Sequence, residues 1–474
     1  MYITKRISNN VFWLVLSEAS SRALIFLGTV YLARILGKAG FGLFSLSLAV
    51  ATYFWMVSNM GVSDYGTREI AKNNEKTAEL YSILNSLRFI LATSLFMIFG
   101  VVLYFINIPV ERKLIFLGGA FYAVAFTLSS DWVFRGLEKM KYIMFGRATT
   151  SLFFIGGIYL FVNTPSDTFL APIIYSTSFL VGSLTFIIIL RQKFKIPFHI
   201  KISLAKWWFH IKKSVYFALN AVLYNIAIFI PVFFMGFLST DEELGIFSAP
   251  HRLSVLAINT VLLIVMAFYP TLSNFYVSDK DSFKKTYTNL HKLIVAITAP
   301  ACISATILGK DIIVLFYGEL YADSTGIFII LIWLIFVRLL RSSVSNALLS
   351  ADFLKFNMYA SASGAAVVIL ACIVLIPRFG GYGAAWALIS GEILTMVLMI
   401  GIFNKKLYQL AFFDSYLAKV LFVSVVMGLL IINLPVPRIL GIFIGILVYF
   451  LLSLNIGIVS KHAIQQFYEG VIRR

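Results

Sequence analysis

Apolar runs of about 20 residues, set apart by short polar stretches, recur along the whole chain. About 14 can be read. The first seven are Val11–Ala33, Gly40–Gly61, Tyr81–Ile106, Leu114–Phe134, Ile143–Val162, Phe169–Leu190 and Val215–Leu238. The rest are Ile246–Tyr269, Leu293–Leu315, Ile327–Leu349, Phe356–Ile376, Ala384–Phe403, Leu417–Leu434 and Ile439–Val459. Coiled into a helix, each run can cross a hydrocarbon core of about 30 Å. The pattern predicts an all-α polytopic membrane protein. The connecting segments Asn163–Thr168, Ser239–Gly245 and Arg378–Gly383 are too short to hold a folded domain. The longest polar interruption, Arg191–Lys213, contains basic and aromatic residues that predict a short helix lying on the inner leaflet. Ser203 would cap that helix, with Trp207 and Trp208 at headgroup level.

This interruption separates two related halves. Gly42-Leu-Phe-Ser45, near the start of the second span, returns as Gly245-Ile-Phe-Ser248 near the start of the eighth, an offset of 203 residues. Glu138-Lys-Met-Lys-Tyr142 after span four is echoed by Asp352-Phe-Leu-Lys-Phe356 after span ten. Six spans separate each pair, and an even number leaves the halves in the same orientation, as in parallel-repeat transporters. The expected division is residues 1–190 as an N-terminal six-helix bundle and 191–213 as the cytoplasmic linker. Residues 214–403 form a C-terminal six-helix bundle, and 404–474 supply two extra helices and a tail.

Composition agrees with a lipid environment. Of the 474 residues, 60% are hydrophobic and 13% charged, where soluble domains carry about 25% charged residues. The net charge of +18 would point to nucleic acid in a soluble protein, but its distribution removes that reading. With the N-terminus inside, cytoplasmic segments hold roughly 27 of the 39 Lys and Arg, the bias that sets membrane topology. Both termini are therefore expected in the cytoplasm. The basic segments, including the tail ending Arg473-Arg474, would lie against anionic membrane lipids. Cys302 and Cys372 fall inside predicted spans and belong to no metal motif, so no metal or cofactor is expected.

Charge at membrane depth is the candidate chemistry. A guanidinium there costs at least about 2.5–3.5 kcal/mol, so it normally faces a wet cavity or a partner. Arg22 lies roughly 16 Å into the first span. Arg338 is as deep in the tenth, with Arg341 nearly one turn further on. Arginine is also the side chain best shaped to grip phosphate bidentately. These three residues are candidate substrate ligands. Glu18, four residues before Arg22, could instead neutralise it. Arg252 and Arg88 lie about 10 Å from span ends and could bind substrate or snorkel to the interface. Glu392 lies mid-span without a local cation. It could couple transport to a proton or sodium ion, bond hydroxyl groups, or pair with a distant arginine. His251 and His291 read as interfacial.

Several segments carry a resemblance. Tyr31-Leu-Ala-Arg-Ile-Leu-Gly37, Gly40-Phe-Gly-Leu-Phe-Ser45 and Gly61-Val-Ser-Asp-Tyr-Gly-Thr-Arg-Glu-Ile70 resemble the N-terminal signature of Wzx-type polysaccharide flippases. Asp131-Trp-Val-Phe-Arg-Gly-Leu-Glu-Lys-Met-Lys-Tyr142 is similar to that family's segment after span four. Leu244-Gly-Ile-Phe-Ser-Ala249 and Phe379-Gly-Gly-Tyr-Gly-Ala-Ala385 also fit. The resemblance implies the fold of the multidrug/oligosaccharidyl-lipid/polysaccharide exporters: two six-helix bundles plus two extra helices in the cytoplasmic membrane. It implies a polyprenyl-diphosphate-linked glycan as substrate, moved from the cytoplasmic to the outer leaflet by alternating access. Polysaccharide polymerase and other assembly proteins would be partners.

Two transporter rivals remain open, a multidrug exporter of the same superfamily and a lipid II flippase. A drug exporter would favour carboxylates around a cationic substrate, whereas the buried excess here is arginine. An enzyme such as a polymerase or glycosyltransferase would need a positioned acid/base pair, commonly in a large external loop, and an ATPase a phosphate loop of the GxxxxGK[ST] type. Neither pattern occurs, and the expectation is a flippase without enzymatic activity.

Overall fold

A computed structural model describes residues 2–409, 415–434 and 438–458; the basic tail at Arg473-Arg474 lies outside them. The described residues form helices joined by turns, with no strand. Lipid offers no hydrogen bonds to free backbone groups, so a chain this apolar must satisfy them within its own segments. Fifteen α-helices are described: α1 (Tyr2–Asn59), α2 (Val62–Lys72), α3 (Thr77–Phe105), α4 (Val110–Thr127), α5 (Asp131–Gly136), α6 (Lys141–Phe161), α7 (Leu170–Lys193) and α8 (Leu204–Leu238). They continue as α9 (Asp241–Ser278), α10 (Lys280–Ile307), α11 (Gly309–Tyr317), α12 (Thr325–Ser350), α13 (Leu354–Lys406), α14 (Ser415–Asn433) and α15 (Arg438–Asn455). Among the described residues, ten helical segments are long and apolar enough to cross a membrane. Met97 and Leu152 stand more than 60% exposed, as side chains facing lipid do.

Two of the helices are too long for one crossing. At 1.5 Å per residue, the 58 residues of α1 would reach about 87 Å. Gly37 interrupts it with φ 68° and ψ −177°, a conformation open to glycine alone. Gly380 breaks α13 in the same way, at φ 51° and ψ −128°. Span four is also divided. Leu128–Ser130 leave the helix, so the expected Leu114–Phe134 becomes α4 followed by α5.

The linker departs from expectation. Residues 200–203 carry no regular structure, with Ser203 extended, and α8 then runs without a break from Leu204 into span seven. Ser203 makes no side-chain cap. Trp207 is buried against Trp132, Tyr65 and Tyr81, whereas Trp208 is exposed. A helix resting flat on the leaflet would expose both tryptophans. Here one of them anchors the start of α8 to the protein.

The chain separates into two compact units, residues 1–252 with 368–384 and residues 253–367 with 385–474. The boundary falls inside α9 rather than in the linker because the first turns of α9 are locked onto α1. A Cβ on Gly42 would strike the Asp241 carbonyl, and one on Gly245 would strike the Lys38 carbonyl. The contact is reciprocal, since the 203-residue offset relates Gly42 to Gly245 and Lys38 to Asp241. Ion pairs flank it, with Lys38 Nζ 3.3 Å from Glu242 and Arg112 donating to Asp241 at 2.5–2.7 Å. The three acidic residues Asp241, Glu242 and Glu243 also suit the positive end of the helix dipole.

Within the first unit, α4 and α7 are held by hydroxyl bonds, Ser176 Oγ to Gly118 O at 2.6 Å and Ser183 Oγ to Ala125 O at 2.9 Å. Such bonds and small residues hold helices together where lipid offers no hydrophobic drive. The segments around Asp64 and Asp131 fold onto each other. Trp132 is fully buried over Gly66, and Thr67 Oγ1 donates to its carbonyl at 3.0 Å.

Candidate functional site

Arg22 and Glu18 lie one turn apart on α1 and face α6. Arg22 Nε donates to Glu18 Oε2 at 2.9 Å. Arg147, from the second turn of α6, binds the same oxygen through Nη1. Its Nη2 stands 3.7 Å from Asp131 Oδ2, which also accepts from Arg135 at 3.0 Å. Asp131 belongs to the first turn of α5, where the helix dipole favours a carboxylate. The break after α4 therefore creates a dipole end that helps hold an acid at depth. Arg22 is 46% exposed, and among the described residues its two terminal nitrogens have no hydrogen-bond partner.

The second unit carries a simpler cluster. Arg338 Nε donates to Glu392 Oε1 at 2.7 Å, and Arg341 Nε to Oε2 at 2.6 Å. Arg338 is 4% exposed and Arg341 15%. Arg341, like Arg22, uses only Nε and leaves its terminal fork open among the described residues. Of the roles open to Glu392, this geometry is that of a charge partner. Two cations against one carboxylate leave this cluster net positive.

The other candidates lie elsewhere. Arg252 rests over the rings of Phe41 and Phe44 at 5.3 and 5.0 Å and reaches Ser45 Oγ at 3.3 Å. Arg88 neither snorkels nor faces a cavity. It is 1% exposed and bonds Asn85 Oδ1 at 3.1 Å, Ser129 O at 3.3 Å and Phe126 O at 3.4 Å. Arg88 thus serves the Ser129 carbonyl after α4 and adds a donor to the Phe126 carbonyl, which the Ser129 N–H also holds. Replacing it with leucine is expected to cost roughly 3 kcal/mol or more, as bonds from a charged donor are lost and the carbonyls stay buried. Unfolding of the Arg88→Leu protein in detergent measures this, and unchanged stability would mean that the carbonyls find other donors. His251 is buried and stacks on Phe247, and His291 Nδ1 lies 3.1 Å from Ser343 Oγ.

Arg147 is not among the candidates that sequence reasoning picks out. Its partner Glu18 is 129 residues away, so no local spacing reveals the pair. A signal did exist, because Arg147 stands past Ile143, inside the apolar run.

A family model described as polysaccharide biosynthesis protein matches residues 7–276, more than half of the chain. The chain belongs to this family. It is 27% identical over 422 residues to a protein of Escherichia coli (strain K12) named "Putative O-antigen transporter", covering 84% of this chain and 97% of that one. A protein of the same name from Shigella dysenteriae is 22% identical, with 82% and 98% covered. The fold is shared with the lipid II flippase MurJ in an inward closed conformation, at TM-score 0.71 and 16% identity over 96% of this chain and 99% of that one. An inward-facing MATE multidrug transporter of the MOP superfamily matches at TM-score 0.64 and 14% identity, over 81% and 94%. Family membership and a shared transporter fold place the arginine clusters in a polytopic membrane protein.

Proposed function

We propose that the protein moves a polyprenyl-diphosphate-linked oligosaccharide from the cytoplasmic to the outer leaflet. One observation carries this reading. In each unit an arginine at membrane depth is pinned by a carboxylate through Nε while its terminal nitrogens stay open, Arg22 on Glu18 and Arg341 on Glu392. A guanidinium held this way presents a preset fork to phosphate oxygens. Arg338 completes the second cluster. The names of the family relatives support the same substrate class.

In this reading α1 and α13 each supply two spans across their kinks. The described helices then amount to fourteen crossings, as two six-helix bundles and two further helices, with both termini in the cytoplasm of the inner membrane. That orientation puts the Gly42–Gly245 contact on the outer face, where alternating access must open and close it. Membrane lipids and assembly enzymes such as a polysaccharide polymerase are the expected partners. The membrane potential supplies drive. A diphosphate carrying about two charges gains roughly 4–5 kcal/mol on moving outward across 100 mV, inside negative.

Headgroup translocation in proteoliposomes tests the proposal. Arg22→Ala and Arg341→Ala are each expected to slow flipping at least about tenfold, since a charge-assisted bond contributes about 1.5–3 kcal/mol. Normal flipping by both folded variants would reduce these arginines to structural charges. Export of organic cations by a wild type that flips no glycan would turn the reading to a drug exporter.

A further inference from the structure

Beside Arg22, the first unit holds a half-open cavity of about 210 Å³ among α1, α4, α5, α6 and α7. On the same measure one water needs roughly 10–15 Å³, so the space is built for something larger. Its walls combine three chemistries. Phe126, Phe179 and Phe186 present rings on one side. Tyr122 stacks on Phe126 at 5.4 Å, and Phe179 meets Phe126 edge-on at 5.6 Å, so the aromatic wall is set in advance. Arg22 and Arg147 supply donors, and Glu18 and Asp131 supply acceptors. Both ion pairs at Glu18 fall on Oε2, leaving Oε1 without a partner among the described residues. Asp131 Oδ1 accepts from the Ser129 hydroxyl at a long 3.5 Å.

The charge balance discriminates among ligands. Two guanidinium groups and two carboxylates alternate around the cavity, and Arg135 holds Asp131 as well. A diphosphate inside would meet both Glu18 and Asp131. A metal or sodium ion would meet Arg22 and Arg147. The helix break beside the cavity offers a cation little, because Arg88 already holds the carbonyls of Phe126 and Ser129. A neutral polyhydroxylated ring meets none of these conflicts. Each hydroxyl both donates and accepts, matching the alternation of arginine and carboxylate. The C–H face of such a ring suits the electron-rich face of an aromatic side chain.

We infer that this cavity is a sugar-ring subsite, holding one monosaccharide unit of the substrate while Arg22 at its mouth grips the adjoining phosphate. The assignment rests on the flippase reading and adds the division of labour. The phosphate stays at the rim, and the first saccharide enters the bundle.

Saturation-transfer NMR on the protein in nanodiscs tests it, with two lipid-free or sugar-free probes. One is a panel of methyl glycosides of hexoses, 6-deoxyhexoses and N-acetylhexosamines, and the other is farnesyl diphosphate. Phe126→Leu and Phe179→Leu are expected to cut saturation of a bound glycoside at least fivefold and to spare farnesyl diphosphate, which also reports that the variants are folded. Arg22→Ala is expected to cut farnesyl diphosphate saturation by a larger factor than that of the glycoside. Glycoside binding that survives both phenylalanine changes overturns the assignment, as does loss of farnesyl diphosphate alone in those variants. A wild type that flips lipid-linked oligosaccharide yet binds no glycoside of the panel sinks the subsite but not the flippase. A wild type that binds glycosides and flips nothing does the opposite.

Discussion

Replacing Glu392 with alanine is expected to destabilise the protein by about 3–5 kcal/mol, the cost of stripping a buried ion group of one partner. Both carboxylate oxygens are engaged, and Arg338 and Arg341 would be left at depth facing each other. Unfolding in mixed detergent micelles, followed by tryptophan fluorescence, gives the difference directly. A second variant separates stability from transport. Changing Glu392→Gln, Arg338→Met and Arg341→Met together removes every charge of this cluster, and such replacements are often neutral or stabilising. The triple variant is therefore expected to regain most of the lost stability and none of the lost flipping. A Glu392→Ala protein as stable as wild type would show that the cluster does not hold in the membrane.

Gly245→Leu is expected to abolish the contact between α1 and α9, with loss of transport. The Cβ it adds falls on the Lys38 carbonyl, which is backbone and cannot swing aside. Overpacking of this kind costs about 1–3 kcal/mol even where side chains can adjust. Lys38→Cys and Glu242→Cys, joined by a short bifunctional reagent, report the closed contact. Crosslinking is expected to fall at least about tenfold when Gly245→Leu is added, in line with that cost. Gly42→Leu, which strikes the Asp241 carbonyl, should act the same way from the other half of the repeat. Undiminished crosslinking in both would mean that the backbones do not approach as closely as drawn.

Much of this architecture can be read in the sequence, for a physical reason. Crossing a bilayer requires about 20 apolar residues in succession, so each span leaves a long local record. Charges at depth stand out against it, and Arg22, Arg338, Arg341 and Glu392 were visible on that ground. So was the possible Glu18–Arg22 pair, at one helical turn. Partnerships across the fold leave no such record. Glu392 meets Arg338 from 54 residues away, and Arg147 meets Glu18 from 129. The division of span four left only a faint mark, Ser129-Ser130-Asp131 inside an apolar run, which is a helix-start signal. Hydropathy averages over it. Arg88 reads as a possible ligand because its depth is legible, while the Ser129 carbonyl it serves lies in that break.

The bend at Gly37 has a mechanical consequence. Arg22 lies on one arm of α1 and Gly42 on the other, and the joint between handle and latch is a residue with no side chain. A pull on the handle reaches the latch with whatever stiffness that single residue permits. Because its backbone angles are open to glycine alone, no other amino acid can set the linkage at this angle without strain. The geometry of leverage is thus encoded at the place where the chain carries the least chemistry.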